Sequence, residues 1–429
     1  MKSEQQKTSK IILAASLVIV MLGFGIAIPL MPFYIIHFKA SGSALGLMMS
    51  LYSLMQFLFA PMWGRLSDRI GRKPVILIGI GGYFLAFILQ GLSQNLFEFT
   101  FSRTLAGILS SATLPTAMAY VADITPLEDR SKGVGLMGAA MGIGMIFGPM
   151  LGGLLTGLAL PMPEWIRPLL QVTTDVSTGK LINLSIPFFA SALLALLAVP
   201  FIMVFLPESL PPQNRKHEKV DRRTSRLTLL FAGLKGPSGF LLALAFLLAF
   251  ALANMESVLA LYGGQHFSMG PSEIGLLMGG LGIISVIEQG AAIGPLTRKF
   301  GEIRIIQGGL LVSVIGFLGM ALLKFKAGLV ISSLVFNMGN VLLAPSVTSL
   351  VSKRAKSGQG EAMGLNNSFQ ALGRGIGPLW AGFAYDLYST LSFWSGALIQ
   401  LVALILTLKF FTDSFSERIP NSVQVVGED

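Results

Sequence analysis

The chain has 429 residues, 53% hydrophobic and only 12% charged, with a mean hydropathy of +0.72, which excludes a water-soluble domain. Its formal charge of +10 is divided among alternate loops and forms no single patch, the pattern of membrane topology and not of a nucleic-acid partner. There is no cysteine and there are three scattered His residues, so disulfides, thiol catalysis and a metal site are set aside, no cofactor is expected, and no nucleophile-base pattern suggests an enzyme.

A membrane-crossing helix needs about 20 apolar residues, and twelve candidates run 11–36, 44–63, 74–93, 98–121, 133–158, 183–206, 238–262, 272–296, 304–323, 328–351, 361–385 and 390–411. Lys2, Lys7 and Lys10 precede the first run as in a signal peptide. The run is too long and lacks a small-residue cleavage site, so it reads as a retained span. An even number of spans puts both termini on one side.

Between spans 2 and 3 lies Gly64-Arg65-Leu66-Ser67-Asp68-Arg69-Ile70-Gly71-Arg72-Lys73-Pro74. So dense a charge cluster cannot lie in hydrocarbon. It is expected as a cytoplasmic turn, with Gly64 and Gly71 permitting tight backbone at its two ends and Pro74 opening the next helix. Asp68 suits a helix cap, and Arg72 offers a fork to a carboxylate. Counted over the whole chain, 24 basic residues fall on the side of this turn and 5 on the other. Both termini are therefore expected in the cytoplasm, and the protein in the cell (inner) membrane.

The sequence repeats itself at an offset of 229 to 230. Residues 45–71 match 274–301, Gly148-Pro149 with Gly153 returns as Gly377-Pro378 with Gly382, and Pro115 returns as Pro345. The expected domains are a six-helix bundle over 1–206, a cytoplasmic linker over 207–236, a second bundle over 237–412 and a tail over 413–429. A repeat interface at mid-membrane is where transporters bind cargo. On the outer side, 159–182 is expected to form an interfacial cap through Trp165, Ile166, Leu169 and Leu170, followed by a small turn at Thr173 to Gly179.

Ionisable residues inside a span cost about 2.5–3.5 kcal/mol each on insertion scales and so require a reason. Glu256 in span 7 is the expected proton carrier, since a carboxyl in a low-dielectric cavity can exchange a proton; a structural partner for an Arg or an amide is the alternative. Arg103 in span 4 either faces the cavity and responds to that carboxyl or snorkels to the outer interface. Glu288 and Arg374, in spans 8 and 11, form a neutralising pair, or else Glu288 is a second proton site. Asp123 either pairs with Arg72 or Arg130 or is a solvated helix end, and His37 and His266 read as interfacial. The substrate cavity is expected around Asn254, Tyr262 and Asn340, with some of the 20 Met and 30 Phe residues supplying an adaptable apolar lining.

Four motifs together resemble a known family. They are the basic turn; Gly23-Phe24-Gly25-Ile26-Ala27-Ile28-Pro29 in span 1; Arg103, Gly107 and Asp123 with Arg130 around span 4; and Gly144, Gly148, Pro149, Gly152 and Gly153 in span 5. They are similar to those of the drug:proton antiporters of the major facilitator superfamily, in particular the Gram-positive multidrug and quinolone exporters and the tetracycline exporters. The resemblance implies an all-α membrane fold of two pseudo-symmetric six-helix bundles around a cavity lined by spans 1, 4, 7 and 10. It implies a monomer that exchanges protons for small hydrophobic substrates among membrane lipids, with the basic turn as a gate and the span 5 motif at the interface of the halves. The chain departs from the family where Ala106 replaces the usual Gln before Gly107, where Asn340 replaces a second acid in span 10, and where Arg374 replaces a neutral residue. Two other readings stay open: a same-fold exporter of one lipid or metabolite, and a non-transporting membrane sensor.

Overall fold

The computed structural model describes residues 2–126, 129–158, 168, 170–175, 178–211, 213, 233–235, 238–354 and 359–416. Among the described residues, ten stretches are long and apolar enough to cross a membrane. The longest, Pro271–Leu322, holds Gly301 at φ 76° and ψ 157°, a left-handed conformation that ends one helix and starts another. It therefore counts twice. The polar helix Gln359–Leu387 falls below the hydropathy threshold yet is as long as its neighbours, which completes twelve.

These are α1 (2–37, with a 3-10 turn at Ile28–Leu30), α2 (Gly42–Ile70), α3 (Arg72–Leu92), α4 (Leu96–Ile124), α5 (Arg130–Leu155) and α6 (Ile186–Phe205). The second half contains α7 (Gly239–Phe267), α8 (271–300, with a π-turn at Glu288–Ala292) and α9 (302–322). It ends with α10 (Lys326–Lys353), α11 (Gln359–Leu387) and α12 (Leu391–Ser416). Helix ends follow local chemistry. The Asn95 side chain accepts from the Glu98 amide at 2.9 Å while Glu98 accepts from the Gln94 amide at 2.8 Å, a reciprocal cap that starts α4.

Apolar side chains cover the outside of the bundle, where lipid would meet them, and the helices touch through small residues. The two halves meet along two seams, both on the face opposite the basic turns. In the first, α2 lies on α11: a Cβ added to Gly46 would stand 2.2 Å from the Pro378 carbonyl, and one on Gly382 would stand 2.1 Å from that of Gly42. In the second, α8 lies on α5: a Cβ on Gly275 would stand 2.4 Å from the Pro149 carbonyl, and one on Gly153 would stand 2.4 Å from that of Pro271. Every residue of the second seam is the repeat of one in the first, at an offset of 229. Backbone therefore rests on backbone at both seams.

Several local expectations are corrected. Gly64 is an ordinary helical residue with nothing within 4 Å of its would-be Cβ, because α2 continues without a break to Ile70. The whole turn is Gly71, at φ 110°, and α3 begins at Arg72, ahead of Pro74. On the other face, Thr173 and Thr174 belong to a strand: β1 (Val172–Thr174) pairs antiparallel with β2 (Leu181–Asn183), and the connection closes with Gly179 donating to the Asp175 carbonyl at 2.8 Å. Of the proposed cap, Leu170 is buried, while Trp165, Ile166 and Leu169 lie outside the described residues. So does most of the linker, including Arg215 to Arg226.

Candidate functional site

Glu256 sits midway along α7, a helix whose neighbouring residues Asn254, Met255, Ser257 and Val258 are buried, yet its own side chain is exposed. Exposure so deep in the protein is that of a group on the wall of an internal cavity. Arg374 on α11 is also exposed and lies in electrostatic reach of Glu256, though not in ion-pair contact. The placement follows from packing. Gly373 and Gly377 press α11 against the backbone of α7 at Phe246 and Phe250, which sets Arg374 beside that contact and not within it.

Arg374 thus faces Glu256 and makes no ion pair with Glu288 among the described residues, so the expected pair is not formed. The Glu288 Oε2 atom is buried without a hydrogen-bond partner, in the π-turn of α8. Arg103 neither snorkels nor meets an acid. It is 3% exposed, with its guanidinium 4.1 Å from the centroid of the Tyr52 ring and 5.5 Å from that of Phe24, and its Nε and one terminal nitrogen have no partner. Tyr52 stacks on Phe24 at 5.5 Å and accepts from Gln56 Nε2 at 2.9 Å. An aromatic box therefore holds the cation, a contact worth about 0.5–2 kcal/mol.

Two of the three expected cavity residues, Asn254 and Tyr262, point away from Glu256. Asn254 is fully buried and donates to the Ser392 carbonyl at 2.8 Å, and Tyr262 is buried against His266 and Phe393. Helix geometry explains both. At 3.6 residues per turn they project about 160° and about 120° away from Glu256. Asn340 is buried with its Oδ1 unpartnered.

At the basic turn, Arg72 organises the contacts. Its guanidinium meets Asp68 at 2.7 Å, Asp123 at 3.0 Å and Ser67 Oγ at 2.6 Å, while Arg69 projects exposed and the Arg130 side chain lies outside the described residues. The sequence reading missed Glu208, beyond the end of α6. Its carboxylate accepts from the amides of Arg72 at 2.8 Å and Lys73 at 3.1 Å, capping α3 where Gly71 has no side chain to do so. All these contacts lie within the first half and the first residues that follow it.

The glycine motif of α5 is shared between two contacts. Gly144, Gly148 and Gly152 seat α5 on α1, where added Cβ atoms would stand 2.4 Å from Met21 Cβ, 2.6 Å from Gly25 Cα and 2.2 Å from the Ile26 carbonyl. Only Pro149 and Gly153 reach across to α8, so most of the motif binds helices of one half.

The seam between α2 and α11 has a feature that no motif announces. Asp386, from the end of α11, accepts from the amides of Gly42 at 2.6 Å and Ser43 at 2.7 Å and from the Ser43 hydroxyl. Ser41 accepts from the Ala44 amide at 3.2 Å. The first free N–H groups of α2 are thus satisfied, two of them by the other half of the molecule. The repeat positions in α8 are Pro271, which has no N–H, and Ser272, which instead donates to the Gly153 carbonyl at 2.9 Å.

The family model of the Major Facilitator Superfamily matches residues 13–378. Multidrug resistance protein 2 of Bacillus subtilis (strain 168) is 30% identical over 94% of this chain and 95% of its own length. Quinolone resistance protein NorA of Staphylococcus aureus (strain Mu50 / ATCC 700699) is 25% identical over 92% of this chain and 95% of its own length. Among solved structures, a bacterial homolog of the human lysosomal transporter Spinster, inward-facing and occupied, shares the fold with a TM-score of 0.73 at 14% identity, covering 96% of this chain and 98% of that one. A family match over residues 13–378, two glycine seams between repeated halves and the Arg72 cluster agree: the chain belongs to the major facilitator superfamily of membrane transporters.

Proposed function

We propose that this protein exports small hydrophobic compounds in exchange for protons. The observation that carries this reading is the Glu256 carboxyl on the cavity wall, with Arg374 in electrostatic reach. The excess of basic residues puts the Arg72 turn and both termini in the cytoplasm, so the sealed face is the outer one and the cavity opens inward. In that state Glu256 gives its proton to the cytoplasm, and cargo enters. After the halves rock, an outside proton neutralises Glu256 and cargo leaves. The membrane potential supplies about 2.3 kcal/mol per charge per 100 mV, so one proton drives useful accumulation of a neutral compound. The cycle needs no cofactor, no second subunit and no bond-breaking chemistry.

Hydrophobic drugs are the favoured cargo because full-length relatives are named for multidrug and quinolone resistance. The test is dye transport in everted vesicles from a strain lacking its own pumps, comparing wild type with Glu256→Gln. Wild-type transport that collapses with the proton gradient, and is absent in the variant, supports both antiport and its carrier. Gradient-driven transport that survives in the variant would remove Glu256 from the proposal.

A further inference from the structure

The two halves carry the same latch on the basic-turn face, with its charges exchanged. In the first half Arg72 opens α3 directly after Gly71 and meets Asp123, in the last turn of α4, at 3.0 Å. At an offset of 230 these three positions are Glu302, Gly301 and Lys353. Gly301 again has a positive φ, of 76°. Glu302 opens α9, and its carboxylate pairs with Lys353, the last residue of α10. The geometry is kept and both signs are reversed. Asp68, which meets Arg72 at 2.7 Å, also returns inverted, as Arg298.

The reversal changes how each pair sits in the field of its helices. A helix is partly positive at its N-terminus and partly negative at its C-terminus, so an acid suits the first end and a base the second. Glu302 and Lys353 both obey this rule. Arg72 and Asp123 both break it. The first pair therefore joins two helix ends against their dipoles, and the start of α3 is capped from elsewhere, by Glu208 on the Arg72 and Lys73 amides at 2.8 and 3.1 Å. Glu302 caps its own helix: its carboxylate accepts from its own amide and from Ser349 Oγ at 3.1 Å.

The pairs also differ in their choice of partners. Arg72 divides its guanidinium among Asp68 and Ser67 on α2 and Asp123 on α4, so it can release one carboxylate and keep the other. Among the described residues Lys353 is the single ion-pair partner of Glu302, and Arg298 makes no ion pair.

We propose that the two latches have different tasks. The Arg72–Asp123 contact opens as the inner face changes shape, with Arg72 retained by Asp68, whereas Glu302–Lys353 is a permanent clamp that makes α9 and α10 move as one piece. Glu302 and Lys353 are thus positioning residues, which touch no cargo and hold in place the helix that carries Asn340. The proposal deepens the export reading by dividing the inner face into a moving and a rigid part, and rests on it in taking the halves to rock.

The experiment is hydrogen exchange of backbone amides, followed by mass spectrometry on the purified full-length chain in lipid nanodiscs. It compares the α3 start and α4 end with the α9 start and α10 end, in the free protein and with the outer seam crosslinked between cysteines introduced at Ala40 and Ser389. Crosslinking holds the inward-open state, so it should slow exchange at the first latch severalfold and leave the second unchanged. A second arm turns the clamp against its dipoles with Glu302→Lys and Lys353→Glu together. An ion pair is kept, yet exchange at the α9 start and α10 end should rise about tenfold, because two charges each move from a favourable helix end to an unfavourable one. Both latches responding alike to the crosslink would overturn the proposal, and so would a first latch that does not respond. A reversed pair that exchanges like the wild type would overturn the dipole argument, and the crosslink arm needs no variant of the clamp. The two readings fail separately. The expected exchange pattern with no gradient-driven transport keeps the clamp and sinks export, whereas gradient-driven transport with both latches responding alike sinks the clamp alone.

Discussion

Replacing Asp386 with alanine should tip the protein towards the state in which its seam is open. In the closed seam this one carboxylate satisfies the amides of Gly42 and Ser43 at 2.6 and 2.7 Å and a hydroxyl as well. These groups belong to opposite halves, so opening the seam must break every one of them. A side-chain cap of this kind is worth about 0.5–2 kcal/mol. Gly42 is buried in the seam, which raises the penalty for leaving its amide unpaired, while Asp386 itself is exposed, so solvent screening discounts the charge. About 1.4 kcal/mol is a fair middle value, which corresponds to a tenfold shift in the ratio of closed to open molecules. Asp386→Asn keeps one acceptor and should show roughly half of that free energy. The natural absence of cysteine makes the assay direct: cysteines introduced at Ala40 and Ser389 carry spin labels on the two sides of the seam, and their distance distribution reports the two populations. An unchanged distribution in Asp386→Ala would refute the reasoning and reduce the cap to an ornament of the closed state.

Other substitutions test the remaining contacts. Gly46→Ala and its repeat Gly275→Ala each push a Cβ against a carbonyl, at 2.2 and 2.4 Å. Each should cost the closed seam about 1–3 kcal/mol, read by the same label pair, whereas Gly64→Ala has open space and should leave the melting temperature equal or slightly raised. Glu208→Gln removes a charged acceptor from the start of α3 and should lower stability by about 1 kcal/mol, seen as a lower midpoint in thermal unfolding; no change would mean water caps α3 equally well. At the turn between α8 and α9, the Lys353 ammonium bonded to Glu302 holds that carboxyl below its ordinary range. A depressed acid contributes stability above its ordinary titration range and loses it as pH falls through the lowered one. Acidification should therefore weaken this contact in the wild type, and Glu302→Gln should flatten the acidic limb of the stability profile.

Hydropathy made eleven of the spans readable, because lipid imposes length and composition directly. The twelfth, α11, carries Asn366, Asn367, Gln370, Arg374 and Asp386, so its apolar run is the weakest, and the repeat of the α5 motif supports it. Gly71 is readable as a turn because a positive φ within a charged segment favours glycine. Gly64 was misread since a glycine in a helix and one in a turn look alike in one dimension. Asn254 and Tyr262 share α7 with Glu256, but a helical wheel turns them away from it. Glu208 and Asp386 left no signal at all. Each caps a helix distant in sequence, and a lone acid past a helix end has no pattern until the fold supplies its partner.

The two seams also speak to ancestry. Gly46 on Pro378 and Gly275 on Pro149 are one contact written twice, as in an isologous interface, where a single patch of surface recognises its own copy across a two-fold axis. Before the duplication, one six-helix protomer could have met another through this same glycine patch and closed a cavity between them. Fusion freed the copies to diverge, and Asp386 marks where they did: Pro271 has no amide for a carboxylate to hold. The result is a pair of jaws with a carboxylate clasp on one side and a single hydroxyl bond, from Ser272, on the other.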